Sequence, residues 1–170
     1  MRDKIFCDFQ LDSAHTFTGK VKLFLRGLVD PSKMIMLYYR VGNMAHKRNF
    51  KIIEKMCWLH IYHKYNCQIS MSAEIGRNCY MGHPIGIVIG EDVKIGNDVI
   101  IFQGVTIGKK SIEIGGYPNI GNNCIIYASA KLLGNIKVKD GTIVGVNSVL
   151  FSDTEEGGIY VGVPAKNIKN

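Results

Sequence analysis

An aliphatic side chain returns every sixth residue through most of the second half of this 170-residue chain. The teeth of this comb are Ile69, Ile75 and Met81, then Ile89, Ile95, Ile101 and Ile107, then Ile120, Ile126, Leu132, Val138, Val144 and Leu150. Self-similarity at a short fixed period marks a repeat architecture, and a six-residue period marks a parallel β-helix. One hexapeptide forms one flat side, and three sides close a coil. Four residues after most teeth stands a small or β-branched residue, among them Ala73, Cys79, Val93, Val99, Val105, Cys124, Ala130, Ile136, Thr142 and Ser148. Both sets are expected to face inward. Glycine often follows the tooth, as at Gly76, Gly96 and Gly121, where a tight corner between short strands favours a residue without Cβ.

The comb breaks twice. Between Met81 and Ile89 the phase slips by two residues at Gly82-His83-Pro84-Ile85-Gly86, and between Ile107 and Ile120 an excursion runs from Gly108 to Asn119. Insertions in a solenoid become loops on one face, and that face often binds. The single histidine of the repeat region, His83, occupies the first slip.

Ahead of the comb the pattern is helical. Residues 1–30 are weakly patterned, with a short helix expected near Val21 to Val29. Asp30-Pro31-Ser32 has the form of a helix start, with proline in the first turn. Apolar residues at helical spacing then run through Met34, Leu37, Tyr38, Val41 and on to Ile52, Ile53, Met56 and Leu59, so two helices or one bent helix should cover 31–65. The expected organisation is a helical cap over 1–66, a β-helix over 67–151 carrying the 108–119 loop, and a tail over 152–170. Terminal units of repeat proteins need such a cap, because a bare first coil exposes apolar edges.

The formal charge of +7 is one-sided: residues 1–66 hold 12 Lys and Arg against 5 Asp and Glu, while 67–170 hold 9 of each. These cations are spread among helical apolar residues rather than clustered with aromatics, which argues against nucleic acid. They read first as a solvated helical face, and second as a contact of the basic N-terminal helices with an anionic membrane surface or a polyanionic partner. The five cysteines show no metal-binding spacing, and Cys79 and Cys124 fall on inward comb positions. No apolar run reaches about 18 residues, and Met1-Arg2-Asp3-Lys4 opens no secretory segment, so a cytoplasmic location is expected.

Four segments, Gly86-Ile87-Val88-Ile89-Gly90-Glu91, Gly104-Val105-Thr106-Ile107-Gly108, Ala130-Lys131-Leu132-Leu133-Gly134-Asn135-Ile136 and Gly162-Val163-Pro164-Ala165-Lys166, resemble the serine acetyltransferase branch of the hexapeptide-repeat acyltransferases. That branch also contains acetyltransferases of polysaccharide biosynthesis. The resemblance covers residues 66–170 and reaches loosely to Tyr39-Arg40-Val41. It implies a mainly β, left-handed parallel β-helix, assembled as a homotrimer or a hexamer of two trimers, with acetyl-CoA bound between subunits. It also implies that His83 is the general base, taking the proton from an acceptor hydroxyl as the oxygen attacks the thioester. A hydroxyl is a poor nucleophile at neutral pH, and imidazole, with a pKa of about 6.5, passes protons both ways. By the same resemblance Gly108, Lys109 and Ala128 should meet the coenzyme, with Lys110, Lys139 and above all Lys166 available to its phosphates.

The chain departs from its serine-handling relatives at three places. They carry an aspartate where this chain has Gly82, an arginine and histidine where it has Gly116-Tyr117, and a base-orienting aspartate where it has Gln68. These changes remove charged partners for an amino acid's ammonium and carboxylate, so the acceptor is expected to be a saccharide or polysaccharide precursor. Gly82, Tyr117 and Asn119 would then bind it. Tyr117 equally reads as an aromatic plug of the loop. Serine O-acetyltransfer is the alternative, and a non-catalytic trimeric scaffold is a third reading. A zinc lyase on this fold needs three histidines at a subunit boundary, and the coils hold one.

Overall fold

Strands of two to four residues cannot hold a sheet by themselves, so each finds its partners one coil above and below. The structure, a computed structural model, describes every residue except 15, 112–114 and 170, with the side chain of Arg2 also left aside. Its strands stack into three parallel sheets. The first sheet contains β1 (Gln68–Ile69), β4 (Val88–Ile89), β7 (Thr106–Gly108), β10 (Lys131–Leu133) and β13 (Val149–Leu150). The second contains β2 (Glu74–Ile75), β5 (Lys94–Ile95), β8 (Asn119–Ile120) and β11 (Lys137–Val138). The third contains β3 (Tyr80–Gly82), β6 (Ile100–Phe102), β9 (Ile125–Ile126), β12 (Ile143–Val144), β14 (Ile159–Gly162) and β15 (Ala165–Asn167).

The comb is the register. Ile69, Ile89, Ile107, Leu132 and Leu150 pair in one column. Ile75, Ile95, Ile120 and Val138 form a second column. Met81, Ile101, Ile126, Val144 and Tyr160 form the third. Every tooth is buried, and so are the small residues four positions on, including Ala73, Val93, Val99, Val105, Ala130, Thr142 and Ser148. Like side chains therefore stack on like, one coil apart by about 4.8 Å. Thr142 keeps its buried hydroxyl satisfied through the Lys139 carbonyl at 2.6 Å and Thr154 Oγ1 at 2.9 Å.

The corner after the second sheet is tied by a polar ladder. The Arg77 N–H donates to Asn97 Oδ1, the Asn97 N–H to Asn122 Oδ1 and the Asn122 N–H to Asp140 Oδ1, each at 2.8–2.9 Å. Glycine precedes each of the first three residues because the backbones touch. A Cβ on Gly96 would lie 2.6 Å from the carbonyl carbon of Gly121 and 2.8 Å from the Asn122 nitrogen. Neither atom belongs to a flexible side chain. Gly96→Ala is expected to destabilise the fold by about 1–3 kcal/mol through overpacking, measurable as a lowered midpoint in denaturant.

The helices are α1 (Arg2–Asp8), α2 (Phe17–Gly27), α3 (Pro31–Lys47) and α4 (Lys51–Tyr65), with a short 3-10 turn at Leu11–Ser13. Asp30 caps α3 by accepting the Ser32 N–H at 2.9 Å, as the Asp-Pro-Ser start predicts. Helix α3 then supplies what the first coil lacks, namely partners for its outward-turned backbone. The buried Tyr39 hydroxyl donates to the Ala73 carbonyl at 2.6 Å and accepts the Ile75 N–H at 3.1 Å. Burial pushes its pKa up to about 12, so the phenol keeps the proton it donates. Arg40, also buried, donates to the carbonyls of Ile75 and Gly76 and pairs with Asp8 Oδ2 at 2.9 Å. Ser32 Oγ accepts the Met81 N–H at 2.8 Å.

Helix α1 was absent from the sequence pattern, since residues 1–30 carry little periodicity. It is held by tertiary contacts instead: Asp8 meets Arg40 and Asn78, Phe9 is fully buried, and Phe9 stacks on Phe24 at 5.2 Å. The tail does more than return. Strand β14 pairs with β12 as a further rung, and β15 folds back antiparallel on β14.

Candidate functional site

The two-residue slip makes a corner protrude. Ile69 and its partner Ile89 are twenty residues apart, whereas Ile89 and Ile107 are eighteen apart, and the surplus lies between β3 and β4. His83 stands at the head of that corner, exposed, with left-handed backbone at φ 49°. Its carbonyl accepts the Ile85 N–H at 2.7 Å, and the Gly86 N–H reaches back to Asn66 at 3.0 Å, so the tight turn fixes where the ring is presented. Left-handed backbone is a property of this edge, shared by Ser129 at φ 60° and Asn147 at φ 54° in later coils. Among the described residues the imidazole makes no hydrogen bond.

Corners of successive coils stack beneath it along one edge of the prism. The Gly104 N–H donates to the Ile85 carbonyl at 2.9 Å, the Ser129 N–H to Gln103 at 2.8 Å and the Asn147 N–H to Ala128 at 3.0 Å. His83 and Ala128 thus share an edge two coils apart, about 10 Å along the axis. The Lys131 ammonium lies on the same edge, donating to the Gly104 carbonyl at 2.6 Å.

Gly82 brings an aromatic rather than a polar group. A Cβ there would sit 2.8 Å from Phe102 Cδ1, and the Phe102 ring stacks on Tyr127 at 5.3 Å with 7° between planes. The space that an aspartate would fill at position 82 is therefore occupied. Phe102 escaped the sequence reading because its outward position on β6 carries no chemical motif.

A cavity of about 810 Å³ opens between α4 and the outer face of the first sheet, the sheet that borders the His83 edge. Gln68 and Tyr117 both line it, so two of the sequence-predicted site residues meet here. Tyr117 packs tightly over Gly90, where a Cβ would lie 2.8 Å from its Cε1, and Lys109 Nζ stands 5.0 Å from the ring centroid. The ring therefore plugs the base of the excursion and walls the cavity at once. Three residues of that excursion, 112–114, lie outside the described ones. Among the described residues, a Cβ at Gly108 would touch nothing within 4 Å.

The remaining expectations fall elsewhere. Asn119 lies on β8 in the second sheet, beside Glu74 and Lys94 in a separate groove, and not in the cavity with Tyr117. Lys166 is exposed on β15, opposite Val161 in the C-terminal hairpin. Among the described residues no three His, Cys, Asp or Glu side chains converge as a metal site.

Residues on α4 that no motif marks supply the cavity's charge. Lys51, Glu54 and Lys55 line it from the helix, and Glu91 from the end of β4. Glu54 is engaged through one oxygen: its Oε1 meets His46 Nδ1 at 2.9 Å, while its buried Oε2 lies 3.6 Å from Lys51 Nζ and makes no hydrogen bond among the described residues. The His46 hydrogen bond holds its carboxyl below the usual carboxylate range. Lys55 rests its ammonium 4.8 Å over the Trp58 ring. Glu91 has no ion-pair partner among the described residues. Lys51 and Lys55 are exposed, as expected of a solvated helical face, on a helix that is laid against the sheet.

No protein-family model matches the chain. The serine acetyltransferase of Helicobacter pylori strain J99 is 37% identical over 142 residues, which is 83% of each chain. A solved serine acetyltransferase in complex with CoA superposes with a TM-score of 0.83 at 30% identity, covering 98% of this chain and 69% of that one. The soybean serine acetyltransferase complexed with serine gives a TM-score of 0.84 at 27% identity, again covering 98% and 69%.

Proposed function

The chain belongs to the serine acetyltransferase family and is an acyltransferase, and we propose that it transfers the acetyl group of acetyl-CoA to the hydroxyl of L-serine with His83 as general base. The observation that carries the assignment of the base is the corner itself: the repeat region's one imidazole stands exposed at the phase slip and makes no hydrogen bond among the described residues. Neutral imidazole accepts the hydroxyl proton as the serine oxygen bonds to the thioester carbon. The tetrahedral adduct then expels the CoA sulfur, which takes that proton from imidazolium, so the base is regenerated and no metal is required.

A saccharide acceptor was the expectation from Gly82, Gly116-Tyr117 and Gln68, and the relatives support the serine alternative better. Similarity to serine acetyltransferases extends over 83% of the chain, helices included, and the compared relatives carry no saccharide activity in their names. The missing charges at three positions do not by themselves exclude an amino acid, because other elements bring charge to the same cavity.

Gln68 faces outward on β1 toward that cavity, and its amide oxygen suits it to accept the N–H of an imidazole whose other nitrogen works as the base. An amide does this without the charge of a carboxylate, which leaves imidazolium less stabilised. The coenzyme is assigned to the prism edge below His83, with its pantetheine arm against Ala128; Gly108, at the far end of β7, with Lys109 and Lys166, is offered to it by the family resemblance. That edge is open in a single chain, which suits sites completed between the subunits of a homotrimer. Helix α2 sets Phe17, Val21 and Leu25 beside Lys22 and Arg26, the composition behind the expected membrane contact. Among the described residues no helix is long and apolar enough to cross a membrane.

Thiol release from acetyl-CoA in the presence of L-serine tests the reading, with O-acetylserine as the product to be identified. Release with sugars but not with serine would overturn it. The protein's own thiols should interfere little: Cys57, Cys67, Cys79 and Cys124 are buried, and burial pushes Cys79 up to about 12 and Cys124 up to about 11. Native chain is expected to react with a thiol reagent at no more than one site near pH 7, Cys7, and denatured chain at all five.

A further inference from the structure

Serine acetyltransfer by this chain needs a seat for a zwitterion, and the positions where its relatives keep the charges hold Gly82 and Gly116-Tyr117. Resting on the acceptor assignment above, we propose that Lys55, assisted by Lys51, binds the serine carboxylate and that Glu91 binds its ammonium, in the cavity between α4 and the first sheet.

Four observations carry this. The two signs of charge stand on opposite walls, cations on α4 and Glu91 at the end of β4, so an amphoteric molecule is favoured over a purely anionic or cationic one. The third charge on the wall is partly engaged, since Glu54 Oε1 meets His46 while Oε2 is buried away from solvent; among the described residues this leaves Glu91 as the exposed anion lining the cavity without an ion-pair partner. Lys55 is steadied rather than loose, its ammonium resting over Trp58. The volume, about 810 Å³, lies within the ordinary range for small-molecule sites. Gln68, assigned above to orient the base, lines this same cavity.

Substitution at the older positions is closed off by packing. An aspartate at 82 would drive its Cβ into Phe102, and at 116 the backbone is left-handed at φ 115° with a Cβ running into Asn135. Charge lost at those two places therefore has to enter from another element. Helix α4 is the one laid across the sheet.

The experiment compares acceptors that keep the hydroxyl and lose one charge: ethanolamine lacks the carboxylate, and 3-hydroxypropanoate lacks the ammonium. For wild type, Lys55→Met, Lys51→Met and Glu91→Gln, kcat and KM are measured for L-serine and for both analogues at saturating acetyl-CoA. Lys55→Met should raise the KM for serine roughly ten- to a hundredfold, with kcat within about threefold, and should erase the preference for serine over ethanolamine. Lys51→Met should act in the same direction and more weakly. Glu91→Gln should raise the KM comparably and erase the preference for serine over 3-hydroxypropanoate. The KM for acetyl-CoA should stay put in all three. A merely structural role would depress every acceptor alike and would leave those ratios unmoved, overturning the proposal. Wild-type chain that leaves serine untouched sinks the acceptor assignment and this seat together, whereas wild-type turnover with unaltered ratios in the variants sinks the seat alone.

Discussion

Replacing His83 by asparagine should lower kcat by about 10²- to 10⁴-fold and leave the thermal midpoint essentially where it was. Asparagine is the informative choice. Position 83 is left-handed at φ 49°, a conformation that asparagine tolerates better than alanine, so the fold loses nothing that histidine gave it. The ring is exposed and makes no hydrogen bond among the described residues, so no packing is lost either. Activity measured by thiol release and stability by thermal unfolding should therefore part company. If His83→Asn retains full turnover, the base lies elsewhere, and a catalytically silent scaffold requires that the unsubstituted chain release no thiol at all.

The second large effect is on stability and falls at the other end of the chemistry. Arg40→Met is expected to cost about 3–5 kcal/mol, because removing one partner strands the buried Asp8 carboxylate. For a chain of this size that corresponds to a fall in Tm of roughly 6–20 °C. The same side chain bonds the carbonyls of Ile75 and Gly76, so its loss also leaves two acceptors of the first coil short of a donor. Asp8→Asn should be milder, since an amide oxygen can still accept the Asn78 N–H that the carboxylate holds at 2.9 Å. Equal effects of the two variants in a thermal melt would mean that the ion pair, rather than the bonds to the coil, carries the stability.

Much of the fold is legible in the comb because a β-helix repeats one local rule. Ile69, Ile89 and Ile107 are buried and stacked for the same reason, so reading one coil reads the others. His83 was legible too, as the residue at a break in that rule. The helical cap was visible as an amphipathic run, while α1 was not, since what holds it is a contact between Asp8 and a residue 32 positions away. Which candidate residues lie together depends on three-dimensional information in the same manner. Gln68 and Tyr117 are 49 residues apart and share a cavity, while Tyr117 and Asn119 are two apart and face different grooves. The saccharide expectation, which the relatives support less well than its serine alternative, rested on sequence positions alone. It counted charges at three aligned positions, whereas the charges that line the cavity come from α4 and from Glu91 at the end of β4, residues brought together only by the fold.

Stacked coils offer an open-ended template to any other chain able to add a rung, and a stack without ends would grow into fibres. Here the hairpin of β14 and β15 turns the last strand of one sheet against the parallel direction. On a second sheet, Asp153 and Thr154 take up the N–H groups that Lys137 and Lys139 would otherwise present to a newcomer. Tyr39 and Arg40 silence the opposite end. Polymerisation is thus discouraged at both termini of the prism, and assembly is steered sideways, through its flanks.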